Sequence, residues 1–396
     1  MASVMQGQPG LLVLMGSGET SPTMVEIHRR AVRCLRPGPR AVLLDTPYAF
    51  QENAADISAR ARAYFARSVG LTVEVGDEVA GADWVFSGPG SPTYALERWL
   101  ATPVAGDLRA RVRAGRGVTV LASAAACTAG AATVPVYEIY KVGAEPHWRP
   151  GLDLLAELDL RAVLIPHYDN AEGGTHDTRY CYLGERRLAR MERELPEGTA
   201  VLGVDEHTAV LVDLRTEQVE VAGRGGLTVR VRGSQVVLPA GTTTSLDEVR
   251  RLTRGSATAR PAPPRGQAPA PAPQETLAEV CGSCEKHFRQ AAEGADPVAA
   301  ARAVLDLEAA LVAWAADTEE DAGGVDEARE LLRLLIGELG ELASTKRVRA
   351  LVEPLLALRD RLRRDGAYDL ADTLRTAMLA GGITVEDTPD GPRWSP

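Results

Sequence analysis

Aromatic residues are scarce, 5% of a 396-residue chain. No apolar run approaches the roughly 18 to 20 residues that a membrane-crossing helix needs. The first residues, MASVMQGQPGLLVLMG, lack a basic segment ahead of their short apolar run, so they do not read as a secretory signal. Cysteine is sparse and odd in number, five without framework spacing, which opposes a disulfide scaffold and suits a reducing cytoplasm. Nucleotide-binding signatures are missing as well. GSGET (16–20) and GPGSPT (88–93) have neither the Lys-Ser/Thr of a phosphate loop nor the spacing of a dinucleotide fingerprint, although either turn could cradle an anion. Positive charge is also short. The net charge is −10, and residues from Glu275 onward hold about 24 acids against about 14 bases while the preceding part balances. That opposes nucleic-acid binding through a broad basic face and leaves room only for a local patch.

What is present divides the chain. Residues 255–274, GSATARPAPPRGQAPAPAPQ, form a Pro/Ala-rich spacer that cannot pack a core. Two domains are therefore expected, 1–254 and 275–396. The first alternates short β-rich runs (11–15, 41–46, 71–75, 84–87, 118–122 and 162–166) with amphipathic stretches, which predicts a parallel sheet covered by helices on both faces. After 201 the strands follow closely through glycine-containing turns, which predicts an antiparallel extension. From about 274 the pattern turns helical, with stretches at 296–316, 325–343, 346–366 and 367–382 predicting a small antiparallel all-α bundle.

The stretch GRGVTVLASAAACTAG (115–130) places Ser123 directly after a buried strand among alanines. A nucleophile on a strand-to-helix turn is exposed at the carboxyl end of a sheet, where open parallel sheets collect ligands. The bland reading is a small residue packed against the sheet. Cys127 is the rival nucleophile, and it lies about one helical turn beyond the strand, where a buried core thiol is the commoner role.

These residues resemble the nucleophile elbow of the cyanophycinase and dipeptidase E family of serine peptidases, written G-x-S-A-G-A. Neighbouring motifs follow in the family's order: LLVLMGSGET, ADWVFSGPGSPTYAL (82–96), AVLIPHYDN (162–170) and VLGVDEHTAVLV (201–212). The resemblance covers about residues 10–240. It implies the flavodoxin-like core shared with class I glutamine amidotransferases and a hydrolase acting on a peptide or amide bond. Carried over by position, Ser123 is the nucleophile and His167 its general base. Gly88 and Gly90, with the Ala124 N–H, line an oxyanion hole. Glu206 is the preferred orienting acid, with Asp169 the alternative. Arg179 is the nearest anchor for a substrate carboxylate. The family's elbow glycines are replaced by Leu121 and Ala125, and its basic cluster after the histidine is not reproduced.

Other candidates read more plainly. His176 and Asp177 lie in a glycine-rich loop near His167, and HYDNAEGGTHD matches no established metal pattern. His207 reads as structural. The single Cys-x-x-Cys, Cys281 and Cys284 with His287 nearby, has no second pair, so no metal and no cofactor are expected.

The final residues resemble the C-terminal anticodon-recognition region of cysteinyl-tRNA synthetases. Ala371, Asp372, Arg375, Gly382, Ile383, Glu386, Asp387, Pro389, Gly391 and Trp394 carry the likeness, which extends over about 285–396. No synthetase catalytic motif accompanies them. The resemblance implies tRNA as a partner, through Arg361 and Arg364 in a cluster with Arg359 and Arg363, and through stacking on Trp394. A protein partner is the alternative. Two readings of the whole chain follow: a serine hydrolase with an appended helical domain, or a catalytically inactive binding protein on the same fold.

Overall fold

The structure is a computed structural model that describes residues 10–171, 177–255, 275–315, 324–388 and 391–395. The Pro/Ala-rich segment 256–274 lies outside the described residues. They fall into two compact units, the first ending before Glu275 and the second beginning there.

In the first unit, β1 (Gly10–Met15), β2 (Ala41–Leu43), β3 (Glu74–Val75), β4 (Trp84–Ser87) and β5 (Gly117–Ala122) run parallel in the spatial order β1-β5-β4-β2-β3. Period-2 alternation sends their side chains into two cores. Val13, Met15, Trp84, Phe86 and Val120 pack with Ile27 and Ala31 of α1 (Val25–Arg33) and Ala61 and Tyr64 of α2 (Ala54–Tyr64). Leu12, Leu14, Val85 and Leu121 face the other way, toward Leu96 and Trp99 of α3 (Pro92–Leu100) and Leu108 and Val112 of α4 (Val104–Ala114). The chain turns from β2 outward to β3 and then returns through β4 to β5. The loops leaving β2 and β4 therefore diverge, and ligands bind at such a switch point.

A short helix, α5 (Ser123–Cys127), follows β5. Next come the small pair β6 (Ala132–Thr133) and β7 (Arg149–Pro150), with α6 (Val136–Tyr140) between them. The strand read from sequence at 162–166 is β8 (Ala162–Ile165), and it does not join the parallel set. It pairs in parallel with β9 (Ala200–Val204) across α7 (Gly184–Glu194). The free side of β5 is already taken by β1, whose other side is taken by β10 (Thr208–Asp213). No edge is left there for β8. Beyond β10 the antiparallel extension appears as expected: β11 (Gln218–Gly223), β12 (Gly226–Val231), β13 (Ser234–Pro239) and β14 (Thr243–Ser245), closed by α8 (Leu246–Thr253). Strands β11 and β14 continue the large sheet, while β12 and β13 join β9 and β8 in a four-stranded one. Leu14, Val210 and Val219 of the first sheet meet Leu164, Leu202 and Leu227 of the second in a common apolar core.

The second unit is helical: α9 (Leu277–Glu293), α10 (Pro297–Ala315), α11 (Val325–Arg364) and α12 (Tyr368–Ala380). A capping box between Thr276 and Glu279 starts α9. The stretches 325–343 and 346–366, read as two helices, are one helix of 40 residues. Residues 341–353 contain neither glycine nor proline to break it. Phe288, Leu307 and Leu335 anchor one cluster of this unit. Val352, Leu356 and Met378 form another with the hairpin of β15 (Thr384–Thr388) and β16 (Gly391–Ser395), an element the all-α expectation omits. No helix among the described residues is long and apolar enough to cross a membrane.

Candidate active site

Strand β5 ends with Ala122 in extended conformation (φ −128°, ψ 154°), and the next residue, Ser123, has φ +48°. A side chain in the left-handed region costs energy through its Cβ, and the reversal turns the Ser123 hydroxyl out of the strand direction. Ser123 is 8% exposed. Leu121 and Ala125, which stand where the resemblance has glycines, are both buried in the same apolar core. The Ala125 N–H donates to the Gly88 carbonyl at 3.2 Å, which seats α5 against the loop after β4.

His167 follows β8 with φ +47°, and Glu206 lies two residues beyond the end of β9. Parallel neighbours end at the same edge, so residues 39 apart in sequence come together. His167 Nε2 is 2.8 Å from Ser123 Oγ, and His167 Nδ1 is 2.8 Å from Glu206 Oε1. A carboxylate only accepts, so Nδ1 carries the proton and Nε2 accepts from the serine hydroxyl. Asn170, to which the sequence reading assigned no role, donates through Nδ2 to the same Glu206 oxygen at 3.1 Å. Asp169 does not touch His167 by any hydrogen bond described. Its Oδ1 accepts the Glu206 backbone N–H at 2.7 Å, and so it holds the loop that presents Glu206.

The carboxylates differ in environment. Burial raises Glu206, but hydrogen bonds and charge from His167, with help from Asn170, outweigh it and leave Glu206 below its ordinary value. Asp169 is raised, first by burial, with the Glu206 charge adding to it. Asp205 is raised to about 6, again first by burial and then by Asp169; its Oδ2 accepts the Gly226 N–H at 2.7 Å.

Two glycine loops close on this edge. Gly90 has φ +126°, and a Cβ there would lie 2.2 Å from the Pro47 carbonyl oxygen, so only glycine lets the β4 loop pass the loop after β2. Ser91 then caps α3 by accepting from the Tyr94 N–H at 3.2 Å. Gly18 (φ +66°) lies against the His207 ring, where a Cβ would come within 2.2 Å of Nδ1. That ring hydrogen-bonds Thr23 Oγ1 at 2.8 Å. His207 therefore braces the segment carrying Glu206 and is structural in this sense. Burial pushes His28 down to about 4, and its Nε2 bonds the Glu19 carbonyl at 2.5 Å.

Other candidates lie apart from this relay. Cys127 is 1% exposed and burial pushes its thiol up to about 12, which suits a core residue. Arg179 is turned onto Asp177 in a two-pronged pair at 2.8 and 2.9 Å. His176 lies outside the described residues, as does Pro389. Cys281 and Cys284 pack into the apolar clusters of the second unit. No group of three His, Cys, Asp or Glu among the described residues could hold a metal.

The basic cluster of the second unit is half consumed. Arg359 is fully buried and grips both oxygens of Asp387 at 2.7 and 2.8 Å, and Arg363 reaches the same carboxylate at 3.1 Å. Arg361 and Arg364 are exposed. Trp394 is half-buried against the cluster of Val352 and Met378. Of the four arginines, Arg359 is therefore buried and structural, Arg363 is exposed but paired with Asp387, and Arg361 and Arg364 are surface residues.

No family model matches the chain. A solved peptidase from an acI-B1 Actinobacterium is similar over the N-terminal part, at 18% identity and a TM-score of 0.48, covering 61% of this chain and 98% of that one. A protein of Listeria monocytogenes EGD-e, provisionally described as a peptidase E, is similar at 14% identity and a TM-score of 0.38, covering 54% and 98%. The cysteine–tRNA ligase of Nocardioides sp. (strain ATCC BAA-499 / JS614) is 46% identical over 48 residues, 12% of this chain and 10% of that protein. The chain spans about a tenth of the length of the curated relatives it matches.

Proposed function

We propose that the chain is a serine hydrolase that cleaves a peptide or amide bond through an acyl-enzyme on Ser123. The observation that carries this reading is the continuous relay from Ser123 Oγ to His167 Nε2 and from His167 Nδ1 to Glu206, with 2.8 Å at each step. As the hydroxyl attacks the carbonyl carbon, its proton passes to Nε2, and Glu206 stabilises the imidazolium that forms. The same proton is then delivered to the departing amine. Water, deprotonated by His167, hydrolyses the ester. The Ala124 N–H stands at the first turn of α5, where no carbonyl four residues back can claim it. With N–H groups of the Gly88–Gly90 loop it would receive the oxyanion. Asp169 and Asn170 act one step removed, by fixing Glu206. Arg179 would meet a substrate carboxylate only by exchanging Asp177.

For residues 275–396 we propose a binding role, toward tRNA or a protein, suggested by the likeness to the end of cysteinyl-tRNA synthetases, which a match of 48 residues shares. An RNA contact would rest on Arg361 and Arg364, since Arg359 and Arg363 are engaged by Asp387.

The test is labelling by a fluorophosphonate probe, which esterifies an activated serine. Wild type is expected to label, and Ser123→Ala and His167→Ala to lose labelling while keeping their melting transitions. A folded wild type that stays unlabelled and is inert toward dipeptide and acyl-amide substrates would leave the inactive binding protein as the reading.

A further inference from the structure

We propose that the left-handed turn formed by Tyr180, Cys181 and Tyr182 is a positioning device for His167, holding the backbone from which its imidazole reaches Ser123 and Glu206. This role rests on the hydrolase reading of those three residues.

Tyr180, Cys181 and Tyr182 have φ of +62°, +55° and +63°. Nowhere else among the described residues do even two non-glycine residues in succession take positive φ. In this region the Cβ comes too close to the following carbonyl oxygen, and glycine is the residue that avoids the clash. Here the chain places glycine only where the turn ends, at Gly184 (φ +69°). Strain over three consecutive side chains persists only when the surroundings over-determine it.

The first two N–H groups of the turn face back to the residues that follow β8. The Tyr180 N–H donates to the Tyr168 carbonyl at 2.9 Å, and the Cys181 N–H donates to the His167 carbonyl at 3.1 Å. From the other side, the Tyr168 N–H donates to the Val204 carbonyl of β9 at 3.1 Å. The peptide that joins His167 to Tyr168 is therefore fixed at its oxygen and at its N–H. That fixes the backbone of His167, itself at φ +47°. Asp169 and Asn170 hold the carboxylate end of the relay, and this turn holds the imidazole end.

Side chains keep the turn left-handed. The Tyr180 ring packs on the Tyr168 ring with centroids 4.5 Å apart, and the guanidinium carbons of Arg179 and Arg230 lie 5.1 and 5.8 Å from its centre. Cys181 is buried in the core with Ile165 of β8 and Met191 of α7. The Tyr182 ring lies 4.8 Å from that of Tyr140 in α6. Each strained residue is thus tied to a different neighbour, and loss of one tie lets the turn relax toward the right-handed region. Tyr180 and Tyr182 are accordingly positioning residues that act on the reaction through His167.

The test is labelling by the fluorophosphonate at rising probe concentration, together with the proton resonance of His167 Nδ1–H, assigned by its absence from His167→Ala. Tyr180→Ala and Tyr182→Ala are each expected to lower the maximal labelling rate by about 10- to 100-fold, with the half-saturating concentration unchanged. Both should broaden or abolish the Nδ1 proton signal. Tyr180→Phe, which keeps the ring, should restore rate and signal. Tyr182 is only half-buried, so its variant decides the matter if Tyr180→Ala does not fold. The proposal is overturned by wild-type rate and signal in the folded alanine variants, by a change confined to the half-saturating concentration, or by a Tyr180→Phe no better than Tyr180→Ala. A wild type that shows the Nδ1 proton and never labels would end the hydrolase reading instead, and the proton signal of the variants alone would then decide what the turn holds.

Discussion

The edge of the α/β unit that carries Ser123 and the helical unit handle the backbone in opposite ways. At the first, Ser123, His167 and His207 have φ of +48°, +47° and +50°. In the second, Ala295, just past the end of α9, is the only non-glycine residue with positive φ among the described residues. Strain of this kind persists where surroundings over-determine it, and it gathers where geometry must be held. The helical unit instead follows local propensity, and two of its departures from expectation, the single 40-residue helix and the buried Arg359 within it, lie in regular helix. The contrast teaches that geometry held against local preference is concentrated in the first unit.

The largest effect should come from cutting the relay. His167→Ala is expected to lower the acylation rate by about 10³-fold or more, and Glu206→Gln by roughly 10²- to 10⁴-fold, through loss of the tautomer that leaves Nε2 free to accept. Stopped-time labelling with the probe measures both. A Glu206→Gln variant as fast as wild type would show that the carboxylate does not orient His167, and the comparison would lose its chemical half.

Next is the independence of the two units. Leu307 is fully buried at the centre of the helical cluster, so Leu307→Ala should destabilise that unit by about 2–5 kcal/mol. Labelling of Ser123 at a temperature where the first unit stays folded should not change. Two resolved melting transitions, with only one displaced, is the expected calorimetric result. Labelling that falls in step with the displaced transition would mean the units share one cooperative fold.

The sequence made some of this legible and hid the rest for physical reasons. Ser123, His167 and Glu206 could be named because each follows a buried β-rich run and stands in an ordered motif. Ser123 follows a strand of the large sheet, His167 and Glu206 follow strands of the four-stranded one, and the carboxyl ends of β5, β8 and β9 meet. The strand order itself was not legible. Residues 162–165 look like any other apolar strand, and nothing local says that β1 and β4 have already filled the places beside β5. Asn170 was missed because its role depends on a loop-to-loop meeting across β8 and β9, and Asp205 because its partner is the Gly226 N–H at the start of β12. Asn170 sits in the quoted HYDN stretch, and its position three residues past the histidine was the available signal. Arg359 was counted as a surface base because its neighbours are charged. Only the hairpin that brings Asp387 to it reveals otherwise.

A smaller effect should appear in the pH dependence of stability. Burial raises Asp205 from 3.8 to about 6, so between those values the folded chain binds this proton more than the unfolded chain does. The contribution of Asp205 is therefore fully present below about pH 4 and lost as pH rises through about 6. Glu206 has the opposite sign, since its lowered value stabilises above the ordinary range and fades on acidification. Asp205→Asn keeps an oxygen for the Gly226 N–H and removes the charge. It should raise stability at pH 7–8 by about 1 kcal/mol, discounted for partial exposure, and leave it nearly unchanged at pH 4. Urea midpoints at the two pH values decide this. Equal shifts at both would assign the effect to packing.

The smallest expected effect bears most directly on the contrast in backbone strain. Ser123→Ala and Ser123→Gly both remove the hydroxyl and its bond to His167, so their difference isolates the Cβ. At an ordinary extended or helical position glycine is less stable than alanine by about 0.5–1 kcal/mol. At φ +48° the order should reverse, with Ser123→Gly the more stable by about 1 kcal/mol. The same comparison on α10, at Ala301, should keep the ordinary order, since Ala301→Gly removes side-chain packing and adds backbone freedom in a helix interior. Denaturation midpoints of these three variants and the wild type suffice. A glycine penalty at both places would mean that Ser123 is not held in strain. A reversal at 123 alone would show that the first unit gives up stability at the one position where a nucleophile has to be presented.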